Sequence, residues 1–294
     1  MGPRHLASHL QFAEDCAVAA GGAPPDLAAI AQAWRSAAAV YRELEVSEAG
    51  AADDPHIEPL PRAMAAHVAE LVALPAFRNT FDTVPVAFGM VELDTLVVSQ
   101  YSLTQATVAR LRERHAARLS KRQLAALCLP LAPPDADFRL AYRSRREFAF
   151  VSGAHDMRFL SATLVDPAHI EGLAVPGHAK AVVALAVGFS SNVLNAVRLG
   201  NRLVLNNGHH RAYALRALGL THVPCVIQVC ASYAELRLAA TSEIYDNSDL
   251  YFESPRPPLL RDFDRPELTQ TLASAAQRRQ LRVRFKVGSR QSAM

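Results

Sequence analysis

The chain has 294 residues, half of them apolar, and a formal net charge of +3 at pH 7. A chain of this length and hydrophobicity can bury one sizeable core or two smaller ones, which excludes intrinsic disorder. This net charge is too small for the electrostatic field of the whole molecule to indicate a nucleic-acid partner. Any affinity for anions must therefore come from a local group of residues.

Two features of the sequence bear on the cellular compartment. The cysteines have neither zinc-site nor CxxC spacing, so we expect buried free thiols in a reducing cytosol and no metal site; they are Cys16, Cys128, Cys225 and Cys230. The first 22 residues mix charged and apolar side chains, and the apolar run at 181–189 is too short to span a bilayer. The sequence therefore predicts a cytoplasmic protein with no membrane segment.

Residues 1–82 are predicted to form a helical N-terminal extension. Asp26 can cap an alanine-rich helix that continues through Leu44, because apolar residues recur there at helical spacing. A second helix is expected over 61–74. This part of the sequence shows no catalytic spacing.

From Val84 onward the pattern changes to strands followed by helices. Strands are predicted at 84–88 and 95–99, followed by a helix that begins at Thr104 and a short helix over 121–128. Prolines then mark a linker; they are Pro130, Pro133 and Pro134.

The segment at about 130–200 is predicted to be an insertion. Its basic stretch is either a solvated turn or an anion clamp; the arginines are Arg139, Arg143, Arg145 and Arg146. Strands are expected at 148–151 and 157–166.

The end of the insertion is harder to interpret. The apolar run at 179–189 is compatible with a helix or a buried strand. Residues 190–192 then resemble a cap for a short helix through Val197, and 198–202 form a hairpin-like turn into the next strand.

The most informative segment is 203–227. A short apolar strand at 203–207 is followed by a turn on Gly208, a helix that begins at or near His210, and a second strand at 223–227. The turn places backbone N–H groups, two imidazoles and a guanidinium at a helix N-terminus, where amides lack partners and the dipole favours anions. The segment therefore predicts a phosphate or carboxylate site. The alternative is a turn whose His and Arg side chains only cap the helix.

Each residue type in this turn suits phosphate chemistry. Gly208 permits a positive φ and close backbone approach, and Arg211 offers a planar fork for two phosphate oxygens. A neighbouring histidine can hold or pass a proton near neutral pH.

Beyond Cys230 a helix is expected over 234–245, then a polar, proline-rich loop over 246–266 and a last helix near 268–277. The final strand, 281–287, alternates apolar and basic residues, which gives it one basic face. Charge on this face either protects a sheet edge or touches phosphates; the basic residues are Arg282, Arg284 and Lys286.

Strands that alternate with helices indicate an α/β (α+β) fold with a mixed sheet. Three domains are predicted. Residues 1–82 form the helical extension, 83–230 form the sheet domain with its insertion, and 231–294 carry the C-terminal helices and the basic strand.

Leu203–Ile227 resembles the signature segment of the ParB/sulfiredoxin superfamily: a strand, a Gly-x-His-Arg or Gly-His-His-Arg turn, a helix ending in Leu-Gly, then Val-Pro and a strand. Upstream, residues 91–100 with the helix at 104–114 are similar to that superfamily's first strand, Ser/Pro-Gln turn and first helix. The resemblance implies a ParB/sulfiredoxin-like mixed sheet with helices, to which the helical extension is added.

The resemblance also implies phosphate binding. Members of the superfamily bind nucleotide phosphates with this turn, and they include CTP-dependent partition proteins, sulfinic-acid reductases and free-serine kinases. The implied cofactor is a nucleoside triphosphate, ATP or CTP, with Mg²⁺. By position, the implied phosphate cradle is Gly208, His209, His210 and Arg211, and the further ligand-binding residues are Asn207, Ser99 and Gln100.

Two departures from the family pattern narrow the expected activity. Where the reductases carry their catalytic cysteine this chain has His209, so that reaction is not expected. Where kinase-like members carry Asp this chain has Asn207, whose amide cannot act as a general base. A small-molecule phosphotransferase would need another base, Glu92 or Asp94. One histidine would position the acceptor, so the catalytic candidates are His209, His210 and Glu92.

The alternative prediction is a DNA-binding, partition-like or transcription-related protein that uses the same turn without catalysis. Partition proteins follow the nucleotide domain with a helix-turn-helix, whereas beyond Cys230 this sequence predicts two helices separated by a long loop. Nucleic acid would then contact the basic strand at 281–287, and its binding would depend steeply on salt.

Overall fold

The computed structural model describes residues 5–115, 118–132, 136–144, 146–153, 157–172, 174, 177–189, 191–275 and 279–289. Three residues singled out in the sequence lie outside these ranges; they are Pro133, Pro134 and Arg145.

The chain divides into two compact units. Unit 1 comprises Met1–Ala132 and Ser191–Ala275, and unit 2 comprises Pro133–Ser190 and Ala276–Met294. Unit 2 therefore combines an internal segment with the C-terminal residues.

The described residues contain both helices and strands. The α-helices are α1 Leu6–Ala20, α2 Leu27–Ser47, α3 Ala65–Ala73, α4 Pro75–Thr80, α5 Gln105–Arg114, α6 Lys121–Cys128, α7 His209–Ala217, α8 Tyr233–Ala239 and α9 Ser242–Asp246. The strands are β1 Ile57–Glu58, β2 Val86–Glu92, β3 Val97–Val98, β4 Arg139–Arg143, β5 Glu147–Ser152, β6 Met157–Val165, β7 Val182–Phe189, β8 Asn195–Leu199, β9 Arg202–Asn207, β10 His222–Cys230 and β11 Arg279–Arg284. Shorter turns are the 3₁₀ helices Arg62–Met64, Pro167–His169 and Leu260–Asp264 and the π-helical turn Asp249–Glu253. None of the helices in these described ranges is both long and apolar enough to cross a membrane.

Unit 1 is built on a six-stranded mixed sheet. The strand order is β1-β2-β10-β8-β9-β3, in which β8 with β10 and β3 with β9 are parallel and the other pairs antiparallel. Leu203 and Leu205 of β9 pack with Leu215 of α7 in the main core, each at most 1% exposed. This architecture confirms the predicted α/β (α+β) class.

Local capping signals position two helices as the sequence predicts. Asp26 Oδ1 accepts the N–H of Ala29 at 3.0 Å and so starts α2. Ser120 and Gln123 form a reciprocal capping box at the start of α6, which spans the predicted residues.

The short helix expected through Val197 is wrong, because residues 195–199 form β8. Ala196 and Val197 are fully buried in the sheet between β10 and β9. A segment that is apolar on both faces suits a central strand as well as a helix, and pairing decided between them. The ambiguous run at 179–189 is likewise a strand, β7.

The single helix predicted over 234–245 is divided into α8 and α9. Ala240 has an extended backbone, with ψ at 160°. The N–H of Thr241 donates to Asn206 Oδ1 at 3.0 Å, which draws the chain toward the end of β9. A tertiary hydrogen bond therefore interrupts a helical sequence pattern.

The helix expected near 268–277 is also wrong over residues 268–275, which are not helical; residues 276–278 lie outside the described ranges. Leu268 is instead buried in a small cluster with Ala37 and Tyr41 of α2. The threonines that follow Leu268 are β-branched, which weakens the helical preference of the segment.

Unit 2 contains a three-stranded sheet in the order β11-β5-β4 and a two-stranded sheet, β6-β7. β11 pairs antiparallel with β5. The basic C-terminal strand therefore belongs to unit 2, whereas the sequence grouped it with the C-terminal helices.

Candidate functional site

Two helices of unit 1 begin at the same edge of the six-stranded sheet. β3 and β9 run parallel, with Val98 opposite Leu205, so their carboxyl ends lie side by side. β3 leads into α5, and β9 leads directly into α7. Ligands of open α/β sheets bind outside the carboxyl ends of strands, and helix N-termini attract anions. This edge is therefore the candidate site.

Gly208 makes the turn between β9 and α7. Its φ is +102°, in the left-handed region that favours glycine. A Cβ at this position would lie 3.1 Å from Leu194 Cγ and 3.3 Å from Leu194 Cα. Both the backbone conformation and the neighbouring chain therefore require glycine, as the sequence predicted.

We expect Gly208→Ala to lower the free energy of unfolding by about 2–3 kcal/mol, because left-handed strain and contact with Leu194 add together. Gly219→Ala is the matched control, since Gly219 also has a positive φ, +85°, but open space around its Cα. Urea denaturation of both variants separates the two effects. Equal losses in the two variants would show that the contact with Leu194 is unimportant.

His209 is a buried residue that links the ends of β9 and β3. Its Nε2 lies 3.4 Å from both the backbone nitrogen and the Oγ of Ser99. Burial, followed by a smaller electrostatic effect of His210, lowers the pKa of His209 to about 3, although a hydrogen bond to the Leu205 carbonyl opposes this shift. His209 is therefore neutral at physiological pH and holds two strand ends together.

His210 joins the first turns of the two helices. Its Nε2 accepts the N–H of Thr104, the residue that precedes α5, at 2.9 Å. A ring nitrogen that accepts carries no proton, so in the neutral ring the proton is on Nδ1. The predicted site residue His210 thus lies at the meeting point of α5 and α7.

The guanidinium of Arg211 is directed at Asn192 and Cys128. Its Nη1 donates to the carbonyl oxygens of Asn192, at 2.9 Å, and Cys128, at 3.2 Å, and its Nη2 donates to Asn192 Oδ1 at 2.7 Å. These three acceptors are neutral groups. Arg211 positions the chain before β8 and places a positive charge in the first turn of α7.

Asn207, Ser99 and Gln100 also lie at this edge. Asn207 Nδ2 donates to the Val193 carbonyl at 3.1 Å. Ser99 Oγ donates to the Leu205 carbonyl at 3.2 Å, and Gln100 Nε2 donates to the Ser102 carbonyl at 2.5 Å. The structure therefore brings the predicted ligand-binding residues together, with their side chains engaged in shaping the loops.

Glu92 is not brought to the turn. It ends β2, three strands from β9, which is about 14 Å at the usual spacing between strands. Its Oε2 accepts the hydroxyl of Thr95 at 3.0 Å. Asp94, the other candidate base, pairs with Arg216 in the last turn of α7 at 2.6 Å. Both carboxylates are therefore remote from the first turn of α7.

Sequence reasoning missed a tyrosine pair behind the site. Tyr251, in the π-helical turn, is fully buried; its hydroxyl lies 3.0 Å from Tyr101 Oη, 3.0 Å from Glu243 Oε1 and 3.4 Å from the Ser99 carbonyl. Burial raises the pKa of Tyr251 far above its ordinary value. A π-helical turn is a common feature of functional sites. Neither the residue spacing nor the composition of 249–253 predicts such a turn.

Among the residues that the structure describes, no group of three or more His, Cys, Asp or Glu side chains could hold a metal ion.

The sequence was also compared with known proteins. No family model matches it, and neither the curated proteins nor the solved structures give a significant match.

Proposed function

We propose that unit 1 is a ParB/sulfiredoxin-like domain that binds a phosphorylated ligand, with a nucleoside triphosphate such as ATP or CTP as the expected case. The ligand's phosphates would lie at the shared edge where α5 and α7 begin. The observation that carries the proposal is the convergence of these two N-termini, joined by the hydrogen bond from the Thr104 N–H to His210.

The local charge supports an anionic ligand. The first turns of α5 and α7, all of them described residues, contain no Asp or Glu. Arg211 belongs to the first turn of α7, and each helix dipole adds the equivalent of about half a positive charge at its N-terminus. The site thus offers positive potential although the chain as a whole is only weakly charged.

The backbone geometry supports close approach of phosphates. Gly208, the residue that precedes α7, carries no side chain and makes no side-chain cap of the helix. Backbone amides at such a turn can donate to phosphate oxygens. In this proposal Ser99 and Gln100 form the opposite wall, and Arg211 acts as a positioning residue that also supplies charge.

We propose binding, not phosphoryl transfer. Transfer would need a general base near the turn. Asn207 has an amide, Glu92 and Asp94 are remote, and Glu243 is hydrogen-bonded to the Tyr251 hydroxyl behind the site. Mg²⁺ enters the proposal only as an ion carried by the nucleotide's own phosphates.

The test is calorimetric titration with ATP, CTP and pyrophosphate, with and without Mg²⁺, on wild type and His210→Asp. The substitution puts a carboxylate where we place the phosphates, so we expect affinity to fall at least tenfold. An acidic residue near a helix N-terminus is itself favourable, so the fold should survive.

His56→Asp is the matched control, because His56 is exposed and far along the chain from the turn. It should bind as wild type does. No binding of any of the three phosphates by wild type, or equal binding by His210→Asp, would contradict the proposal.

A further inference from the structure

The two units differ in charge. Unit 2 contains 12 lysines and arginines against 6 aspartates and glutamates, a net charge of +6, whereas the whole chain carries +3. Unit 1 is therefore net negative, at −3, from 19 basic and 22 acidic residues. Such an asymmetry between parts of one chain is typical of proteins with a polyanionic partner.

The three-stranded sheet of unit 2 carries arginines on both faces: Arg143 and Arg279 share the face of Phe148 and Ser152, and three others share the opposite face. Residues opposite each other in an antiparallel pair share a face. Arg282 lies opposite Ala149, and Arg284 opposite Glu147. On the other side of β5, Arg139 lies opposite Val151, two residues from Ala149 and therefore on the same face.

A β-bulge in β4 adds an aromatic ring to this face. Leu140 lies opposite Phe150, but the register shifts between Leu140 and Tyr142, so Tyr142 lies opposite Ala149. Without the shift, Tyr142 would share the face of Leu140. Bulges commonly re-aim a side chain in this way. We call Arg139, Tyr142, Arg282 and Arg284 the basic face.

The basic face is open. Tyr142 is 53% exposed, and the side chains of Arg282 and Arg284 are 53% and 65% exposed. Ala149 and Val151 beneath them are buried. Glu147 is the carboxylate in these described cross-strand rows; it pairs with Arg284 at 3.0 Å and with Arg282 at 3.8 Å, and three arginines against one carboxylate leave the face with a net positive charge.

Protection of the sheet edges explains part of this pattern. β4 and β11 are both edge strands, and arginines discourage unwanted pairing there. Edge protection does not require an exposed tyrosine, nor a bulge that turns it toward the arginines. A sheet that presents an aromatic ring among basic side chains is the arrangement that stacks an unpaired base and neutralises its phosphates.

We propose that the basic face binds single-stranded nucleic acid, with Tyr142 stacked on one base and the arginines on neighbouring phosphates. An anionic membrane fits less well, because the exposed apolar side chain of β4, Leu140, lies on the opposite face. The proposal does not depend on the ligand proposed for unit 1.

The test measures fluorescence anisotropy of a labelled 20-nucleotide oligothymidylate with the full chain at several salt concentrations. Tyr142→Ala is expected to weaken binding about tenfold, the usual effect of losing one stacked base, and Tyr142→Phe to retain it. Arg139→Ala should reduce the salt slope by about 0.7. Arg110→Ala, which removes an exposed arginine of α5 in unit 1, should change neither.

Three results would overturn the proposal. The first is no binding of the oligonucleotide at low salt. The second is wild-type affinity in both Tyr142→Ala and Arg139→Ala. The third is preference for a duplex of the same length, or for phosphatidylserine vesicles, over the single strand.

Discussion

Asp262→Ala is expected to lower the free energy of unfolding by about 3–5 kcal/mol, because it leaves a buried arginine without its main partner. Arg256 is fully buried, and its Nη1 and Nη2 lie 2.5 Å and 2.6 Å from the two carboxylate oxygens of Asp262. Asp262 also accepts the N–H of Leu259 at 2.9 Å. Urea denaturation followed by circular dichroism measures the loss.

This ion pair belongs to a network that ties α2 to the 3₁₀ helix near residue 260. Glu48, at the end of α2, accepts hydrogen bonds from Arg256, Arg261 and Arg265. Burial disfavours its charged form, but these hydrogen bonds lower the pKa of Glu48 to about 2. The Tyr41 hydroxyl donates to the Arg256 carbonyl at 2.7 Å and fixes the backbone of the same residue.

The matched control is Asp264→Ala. Asp264 lies two residues away and pairs with Arg216, but its side chain is 42% exposed. Exposed pairs contribute about 0–1 kcal/mol, so this variant should lose far less stability. A loss of less than about 1 kcal/mol in Asp262→Ala would show that Arg256 finds other partners and would refute the importance of the network.

The second large effect is a loss of stability in mild acid that depends on His209. Because the folded state holds the pKa of His209 at about 3, against an ordinary value of about 6.5, the unfolded state binds more protons between these two values. Stability therefore rises with pH across this window and falls as the solution is acidified below pH 6.5. The contribution of His209 is at most about 1.4 kcal/mol per pH unit.

The measurement is the free energy of unfolding at pH 6.5, 5.5 and 4.5 for wild type and His209→Gln. Between pH 6.5 and 4.5 Glu48 keeps its stabilising charge, because it begins to lose that charge only below about pH 4.5. The change in the free energy of unfolding over this range therefore comes mainly from histidines. Burial, followed by the charge of Arg114, also lowers the pKa of His115, and comparison of the two proteins cancels that contribution. The variant should show a shallower slope. Parallel slopes would mean that the fold does not lower the pKa of His209.

Local sequence signals predicted the elements that build the site. Hydrophobic spacing and one glycine predicted strand β9, the turn on Gly208 and helix α7. Thr104 correctly marked the start of α5. Short-range physics decides such elements, because capping and left-handed backbone depend on adjacent residues.

The contacts between side chains were harder to predict from the sequence. Nothing local indicates that Arg211 donates to the Cys128 carbonyl, 83 residues away, or that Glu92 and the turn are separated by two other strands. The same holds for β8, whose apolar residues are compatible with a helix until pairing with β10 and β9 places them in the sheet. Contacts between residues far apart in the chain, and not local conformational preference, determine these three features.

The most direct test of phosphate binding at this edge is two-dimensional amide NMR of the full chain during titration with CTP and with pyrophosphate. We predict that the amide resonances of His209, His210 and Arg211 and of Thr104 shift on addition of ligand, while those of the last turn of α7 do not. Unchanged resonances in the first turn of α7, or shifts confined to unit 2, would contradict the account.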